Sequence, residues 1–387
     1  MSWPKVRLGD VCEEKVTRLK TISAAEIEYI DIGSVDNRQK RITGTTRYDA
    51  ATAPGRAQQV VQIGDVLVST VRPNLNAVAV VDVDSKVPLI ESTGFCVLRV
   101  KGSLDAKYVF YFAQTQPFIE ALVAESEKAS YPSVTDTIVK KVQIPLPPLS
   151  EQRKIAASVD KAMKRVDAIE RQFEKLRETS AACFKAELKA TFDSAAWDVR
   201  LSEQCEVITD GDHLPPPKTS SGIPFLVISD VAAGRLNFEN TRFVPREYFD
   251  EIQASRKPRS GDVLLTVTGS YGIPVEVDVD REFCFQRHIA LVRSSKFLPR
   301  FLVYLFLSPK SKRYFEHVAT GAAQKTVSLS NLRSMNVCCP SVADQRRLVA
   351  HLDAAKARCD GISALAARGL ANCARMRKAI LAEAFAV

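Results

Sequence analysis

Catalytic motifs are the first thing this 387-residue chain lacks. It has no G-x-x-x-x-G-K-[ST], no G-x-G-x-x-G and no G-x-S-x-G, which excludes the common phosphate cradles and the hydrolase nucleophile elbow. The N-P-P-[YF] motif of amino-methyltransferases is also missing. Four histidines (His213, His288, His317 and His351) are scattered, with neither H-E-x-x-H nor a Cys/His zinc spacing. His351 falls where the first half has Ser158, as a surface residue would. Asp210-Gly211-Asp212-His213 resembles an acidic metal cluster, but it has no counterpart in the first half and reads as a turn. No catalytic residue and no metal site are therefore expected. A self-contained nuclease or methyltransferase is the reading these absences disfavour. Nine cysteines, an odd count without C-x-x-C, fall mostly in apolar stretches as buried free thiols. No apolar run approaches a membrane span, and Met1 to Lys5 leads into no apolar core. A cytoplasmic protein with no membrane partner is expected.

What is present is a repeat. Gln152-Arg153-Lys154-Ile155 returns as Gln345-Arg346-Arg347-Leu348, an offset of 193 residues. At the same offset Asp160 returns as Asp353, Asp167 as Asp360, Leu188 as Leu381 and Phe192 as Phe385. Val6-Arg7-Leu8 returns as Val199-Arg200-Leu201, and Cys12 as Cys205. A period this long is not a solenoid, so one domain-plus-helix unit has been made twice. The net charge of +9 divides unevenly along this plan. Residues 1–149 and 193–342 each hold 18 basic and 17 acidic side chains, so the excess lies in 150–192 and 343–387. A nucleic-acid surface on either globular part would need its basic residues gathered on one face.

Each globular part reads as mixed α/β with short strands. Strand signals at Glu28–Ile32, Asp65–Val71, Ala77–Val83 and Phe95–Val100 match Phe225–Ile228, Asp262–Val267, Pro274–Val279 and Ile289–Arg293. Gly64-Asp65 and Gly261-Asp262 mark a shared turn that launches an apolar strand. A helical stretch follows, from Tyr108 to Val123 and from Phe301 to Val318. A polar loop comes next, Ser126–Ser133 and Thr320–Ser328, then a short strand at Val142–Ile144 and Met335–Val337. Pro145, Pro147 and Pro148, and Pro340 in the second copy, fix the exit of the chain. The offset drifts inside each domain and is restored by Val134/Val327, so loops vary while the scaffold holds.

From Ser150 to Phe192 there is neither proline nor glycine, and apolar residues recur three or four apart. This predicts a rod of roughly 60 Å, with Ser150 as cap and Glu151 in the first turn. Its apolar stripe includes Ile155, Val159, Met163, Val166, Ile169, Phe173, Leu176, Phe184 and Leu188. The second rod carries Leu348, Leu352, Cys359, Ile362, Leu365, Leu370, Cys373, Met376 and Leu381, with Gly361 and Gly369 as weak points. Two rods with one narrow stripe each are expected to pair as a coiled coil. The alternative is that each lies on its own globular domain.

At the junction of domain and rod, Ile144-Pro145-Leu146-Pro147-Pro148-Leu149-Ser150-Glu151-Gln152-Arg153-Lys154-Ile155 resembles the motif of type I restriction–modification specificity subunits. Val337-Cys338-Cys339-Pro340-Ser341-Val342-Ala343-Asp344-Gln345-Arg346-Arg347-Leu348 is a degraded copy, departing at Cys338-Cys339 and Asp344. The order domain–helix–domain–helix with a half-length repeat is itself the family plan, so the resemblance covers the whole chain. It implies an α+β fold: two mixed α/β target recognition domains (1–149 and 193–342), a central spacer helix (150–192) and a C-terminal spacer helix (343–387). The helices would form an antiparallel coiled coil in a pseudo-two-fold tandem repeat. By the same resemblance the chain is a non-catalytic subunit that recognises double-stranded DNA at a bipartite, asymmetric target. It would dock two methylation subunits and the restriction subunits. S-adenosylmethionine, ATP and Mg would belong to those partners, with no cofactor in this chain. Two readers on one duplex face engage it best about one helical turn apart, roughly 34 Å, a gap that overlapped rods can set.

Base reading needs forked donors and acceptors. The loop after the Gly-Asp strand offers Ser69, Thr70, Arg72, Asn74 and Asn76, matched by Thr266, Thr268, Ser270 and Tyr271. The polar loop before the closing strand offers Lys128, Ser130, Tyr131 and Ser133, matched by Gln324, Lys325, Thr326 and Ser328, with Gly321 allowing close backbone approach. Corresponding positions differ between the copies, as two different half-sites require. Ordinary solvated loops are the bland alternative, and basic residues there can contact phosphate without specifying sequence. The rival from another class is a two-headed adaptor or scaffold that uses the rods to join protein partners.

Overall fold

The computed structural model describes residues 3–127, 132–213, 216–322 and 324–386. The chain forms two compact units, Met1–Phe173 with Arg368–Val387, and Glu174–Ala367. The first runs β1 (Lys5–Arg7), β2 (Glu26–Ile30), β3 (Thr46–Asp49), β4 (Ala57–Val61), β5 (Val66–Ser69), β6 (Val78–Val80), β7 (Leu89–Ser92) and β8 (Phe95–Leu98). After these come α1 (Ala106–Phe112), α2 (Gln116–Ser126), α3 (Asp136–Lys141) and β9 (Gln143–Pro145), then the rod α4 (Leu149–Asp193). One sheet has the order β3-β2-β7-β4, with β2 and β7 parallel, and a second has the order β8-β5-β6. β1 and β9 make a two-stranded clasp in which Val6 faces Ile144.

The second unit repeats the frame with β10 (Val199–Arg200), β11 (Val207–Asp210), β12 (Ile223–Leu226), β13 (Arg242–Val244), β14 (Val263–Thr266), β15 (Pro274–Glu276), β16 (Cys284–Phe285) and β17 (Ile289–Arg293). α5 (Pro299–Leu307), α6 (Pro309–Val318), α7 (Leu329–Ser334), β18 (Asn336–Val337) and the rod α8 (Val342–Ala384) complete it. Its sheets are β11-β17-β14-β15 and β13-β12-β16, with a β10-β18 clasp. Among the described residues, no helix is long and apolar enough to cross a membrane.

The strand after each Gly-Asp turn is buried throughout because it serves two cores at once. Val66 and Val68 enter one cluster and Leu67 the other; Val263 and Leu265 divide from Leu264 in the same way. Alternation of side chains across the strand explains the split. The turn's aspartate is held by a forked arginine: Asp65 accepts from Arg99 Nε at 2.9 Å and its Nη2 at 2.7 Å, and Asp262 from Arg293 at 2.8 and 2.7 Å. Bidentate geometry fixes the strand's start as well as its charge balance.

The helical stretches expected from Tyr108 to Val123 and from Phe301 to Val318 are each two helices. Pro117 and Pro309 sit in the first turns of α2 and α6. Proline lacks the amide hydrogen and clashes with the turn before it, so each stretch ends and restarts. Ser308 caps α6 by accepting from the Ser311 amide.

The Gln of the junction motif is a buried clamp. Gln152 Oε1 accepts from the Asp105 amide at 2.9 Å, and its Nε2 donates to Ser103 O and Pro147 O. Gln345 repeats all three bonds with Leu298, Lys296 and Pro340. Further along each rod, Tyr111 Oη donates to Asp160 at 2.9 Å, and Tyr304 to Asp353. These bonds explain why the offset is tight here: each side chain reaches across from rod to domain and has one geometry that satisfies it.

The rods pack both on the domains and on each other. In the first unit Ala156, Val159 and Met163 of α4 and Leu381 of α8 join one core, with Phe385 against Tyr108. In the second, Leu188 and Phe192 of α4 join the core with Leu352 of α8. Between these contacts the helices pair antiparallel. Within the first unit Arg377 binds Asp167 and Glu170, and Phe173 lies on Gly369. Within the second, Ser180 Oγ donates to Cys359 O at 2.7 Å.

The seam differs from the expected stripe. Val159, Val166 and Leu352 are buried, and Ile155, Phe173, Leu176, Leu348 and Leu370 are half-buried or buried. Ile169, Ile362, Leu365 and Met376 lie at the surface. Their places are taken by Ala355, Ala366, Gly369 and Cys373 on α8, small residues that let two backbones approach closely. Counting large apolar residues overlooks a seam of this kind.

Candidate nucleic-acid interface

The two candidate loops of each unit, some sixty residues apart in sequence, lie side by side. In the first, Val71 bridges Ser133, the Val134 amide donates to Thr70 O at 2.8 Å, and the Arg72 amide donates to Pro132 O at 2.8 Å. In the second, Thr268 bridges Thr326, Val327 donates to Val267 O at 2.8 Å, and Gly269 donates to Lys325 O at 2.8 Å. The same three links make Arg72 and Gly269 equivalent. Both are left-handed, at φ 49° and 69°. Glycine adopts this region freely, whereas an arginine there is strained. The first unit accepts that strain to hold a guanidinium at the crest of the loop.

Several expected readers are interior supports instead. Ser69, Thr70, Asn76, Thr266 and Thr268 are buried. Ser69 Oγ donates to Val71 O, Thr70 Oγ1 to Gly94 O and Thr266 Oγ1 to Ser270 O. Asn76 Nδ2 donates to Ala113 O at 2.8 Å while its Oδ1 accepts from Lys40 Nζ at 2.8 Å. Thr326 Oγ1 donates to Thr268 Oγ1 at 3.3 Å. These hydroxyls and amides satisfy the bends of the loops, which small polar residues do in place of backbone partners. Ser328 caps α7 through the Asn331 amide, and Tyr271 lies half-buried against the core. Gly321 serves the turn itself: a side chain there would sit 2.4 Å from Gln324 O.

What remains at the surface is a short set. Arg72 and Asn74 are exposed in the first unit, with Ser133 beside them; Ser270, Gln324 and Lys325 are exposed in the second. Lys128, Ser130 and Tyr131 lie outside the described residues. Lys40, which sequence reasoning missed, stands beneath the first loop, and burial lowers its pKa to about 8. Also missed were Gln286, Arg287 and His288, whose turn is tied to the second loop by Val267 N donating to His288 O at 2.9 Å. Burial, with Arg287 and His213 nearby, lowers the His288 pKa. The signal was available as three consecutive polar residues interrupting an apolar run. Among the described residues, no group of His, Cys, Asp and Glu is placed to hold a metal ion.

Each unit thus combines an α+β frame and a pair of adjoining polar loops with stretches of two antiparallel helices. Residues 2–178 match the family model of the type I restriction modification DNA specificity domain. In sequence and in fold the chain is similar to type I restriction–modification specificity subunits. It is 23% identical over 329 residues to the type I restriction enzyme EcoBI specificity subunit of Escherichia coli, covering 77% of this chain and 69% of that one. A chain from a solved structure on complex assembly and conformational transition of the type I R-M system superposes with TM-score 0.83 at 27% identity, covering 99% and 97% of the two chains. The HsdS subunit of Thermoanaerobacter tengcongensis gives TM-score 0.56 at 28% identity, covering 99% and 96%.

Proposed function

We propose that the chain reads a bipartite, asymmetric DNA sequence, one half-site per unit, through the paired loops around Arg72 and Ser133 and around Gly269 and Lys325. The observation that carries this is the identical backbone pairing of the loops in both units beneath different exposed side chains. A shared frame with private tips is what two unlike half-sites demand. Arg72, Asn74 and Gln324 supply forked donors and acceptors for base edges, and Lys325 a cation for phosphate.

The helix pair sets the spacing of the half-sites and docks two methylation subunits, with restriction subunits joining the assembly. S-adenosylmethionine, ATP and Mg act in those partners. Exposed Ile362 and Leu365, one turn apart on α8, support a protein-binding role for this face. So does the likeness to a chain solved in work on type I R-M complex assembly. Methylome sequencing of cells with and without the chain tests the reading: one bipartite adenine motif should disappear. Exchanging residues 1–149 should alter one half-site only; a change in both halves refutes the modular reading. A two-headed adaptor would instead leave the methylome unchanged and bind duplex DNA without salt-dependent tightness.

A further inference from the structure

The second unit has a cleft of about 270 Å³ beside the turn between β16 and β17. Asp212 and His213 form one wall; the Asp210–His213 segment, expected as a turn, is instead the extended end of β11, with Asp212 bridged to Gln286. A side chain at Gly211 would lie 2.0 Å from Phe285 O, so only glycine lets this segment run against the turn. Asp212 N then donates to Phe285 O, and Arg287 N to Asp212 O, each at 3.0 Å. Tyr248 holds the Asp212 carboxylate, and His213 Nε2 lies 2.8 Å from Asp210. The acidic residues are thus occupied in building the wall.

The chemistry facing the cleft is of the opposite kind. Lys218, Arg242 and Arg287 line it, all exposed and in no ion pair among the described residues. Gln286 is half-buried, and its side-chain amide has no hydrogen-bond partner among the described residues. Phe243 supplies an apolar side. The His288 carbonyl ties this turn to the loop bearing Gly269.

The first unit shares the turn but not these side chains, nor the facing wall: Thr93 N donates to Arg56 O where Arg287 N donates to Asp212 O. Thr70 N donates to Gly94 O as Val267 N does to His288 O, which puts Ser92 and Thr93 at the places of Gln286 and Arg287. The strand registers put Thr46 opposite Tyr29 where Arg242 stands opposite Phe225. The set of Lys218, Arg242, Gln286 and Arg287 is therefore particular to the second unit, and we read it as serving what that unit binds.

We propose that this cleft seats one nucleotide of the second half-site, with Lys218, Arg242 and Arg287 on its phosphate and Gln286 reading its base, adenine in preference. Three cations match a phosphodiester, and a side-chain amide matches the N6/N7 edge of adenine. The proposal rests on the DNA-reading function given above and adds a reading residue outside the paired loops.

The test uses the full chain with the subunits that co-purify with it, selecting from a random duplex pool and then titrating the selected duplex. Gln286→Ala should weaken the selected duplex by about tenfold and erase the preference at one position of the second half-site. Arg242→Ala and Arg287→Ala should weaken every duplex several-fold, each lowering the salt slope by about one. Both arginines are exposed, so these variants report even where Gln286→Ala fails to fold. If the wild-type protein selects a motif and all three variants select it with affinity within about twofold, the cleft assignment is overturned and the paired-loop reading stands. If the wild-type protein selects no sequence, the DNA-reading function itself falls, and the cleft with it.

Discussion

The ring of Phe385, just past the end of α8, lies 5.0 Å from that of Tyr108 and 5.7 Å from that of Phe112. The end of the second rod therefore completes the core of the unit that holds residues 3–127. Phe192 does the corresponding work in the second unit, 5.6 Å from Phe301. Phe385→Ala removes a half-buried ring and should destabilise the first unit by about 2–3 kcal/mol. Calorimetry or proteolysis that resolves the two units should show the first transition moving down and the second unchanged. A uniform shift of both would contradict this assignment.

The two glycines of α8 should respond in opposite directions. Gly361 is exposed with open space around it, so Gly361→Ala should stabilise the helix by up to about 1 kcal/mol. At Gly369 a methyl group would meet the Phe173 ring at 2.4 Å. Gly369→Ala must push that ring out of the seam, and should lower the melting temperature despite its better helix propensity. Thermal melts of the two single variants decide the matter; equal gains from both would mean that the seam tolerates a shift of Phe173.

Much of this was legible in the chain. The long rods, the Gly-Asp turns and the junction motif were visible because each rests on a local pattern or on a side chain with one satisfying geometry. Gln152 and Asp160 repeat at Gln345 and Asp353 because each clamps rod to domain. The two candidate loops were also visible, as polar tracts between strands. Which of their residues face outward was not, because Thr70 and Arg72 differ in sequence by nothing that reveals that one hydroxyl is spent on Gly94 O. The seam misled for a related reason. Periodicity weighs Leu365 above Ala366, yet close helix approach buries the alanine completely and leaves the leucine half exposed.

Glu91 gives the first unit a pH dependence. Its residue is wholly buried, and neither carboxylate oxygen has a hydrogen-bond partner among the described residues. Burial, with Asp136 nearby, raises its pKa from 4.5 to about 9. The folded state thus keeps a proton that the unfolded state releases above about pH 4.5. Stability is whole below that value and declines as pH rises toward 9. Glu91→Gln preserves the shape without the ionisation. It should melt like the wild type at about pH 5 and progressively higher at about pH 7 and 8.5, at roughly 2–4 °C for each kcal/mol recovered. Parallel melting curves across that range would show that Glu91 is solvated or paired in solution.

Arg72 sets stability against function at one residue. Its left-handed backbone is the conformation that Gly269 adopts in the second unit, and a non-glycine residue there costs about 1–2 kcal/mol. Its side chain stands beside the first loop pair, where a guanidinium can fork onto guanine or grip phosphate. Arg72→Gly should therefore raise the stability of the first unit by about 1 kcal/mol while weakening binding at the first half-site. Arg72→Ala should weaken binding equally without the gain, because alanine keeps the strained backbone. Melting and duplex affinity measured on both variants separate the two effects. A glycine variant less stable than the wild type would refute the backbone strain, and one that binds the target as tightly would remove Arg72 from the reading surface.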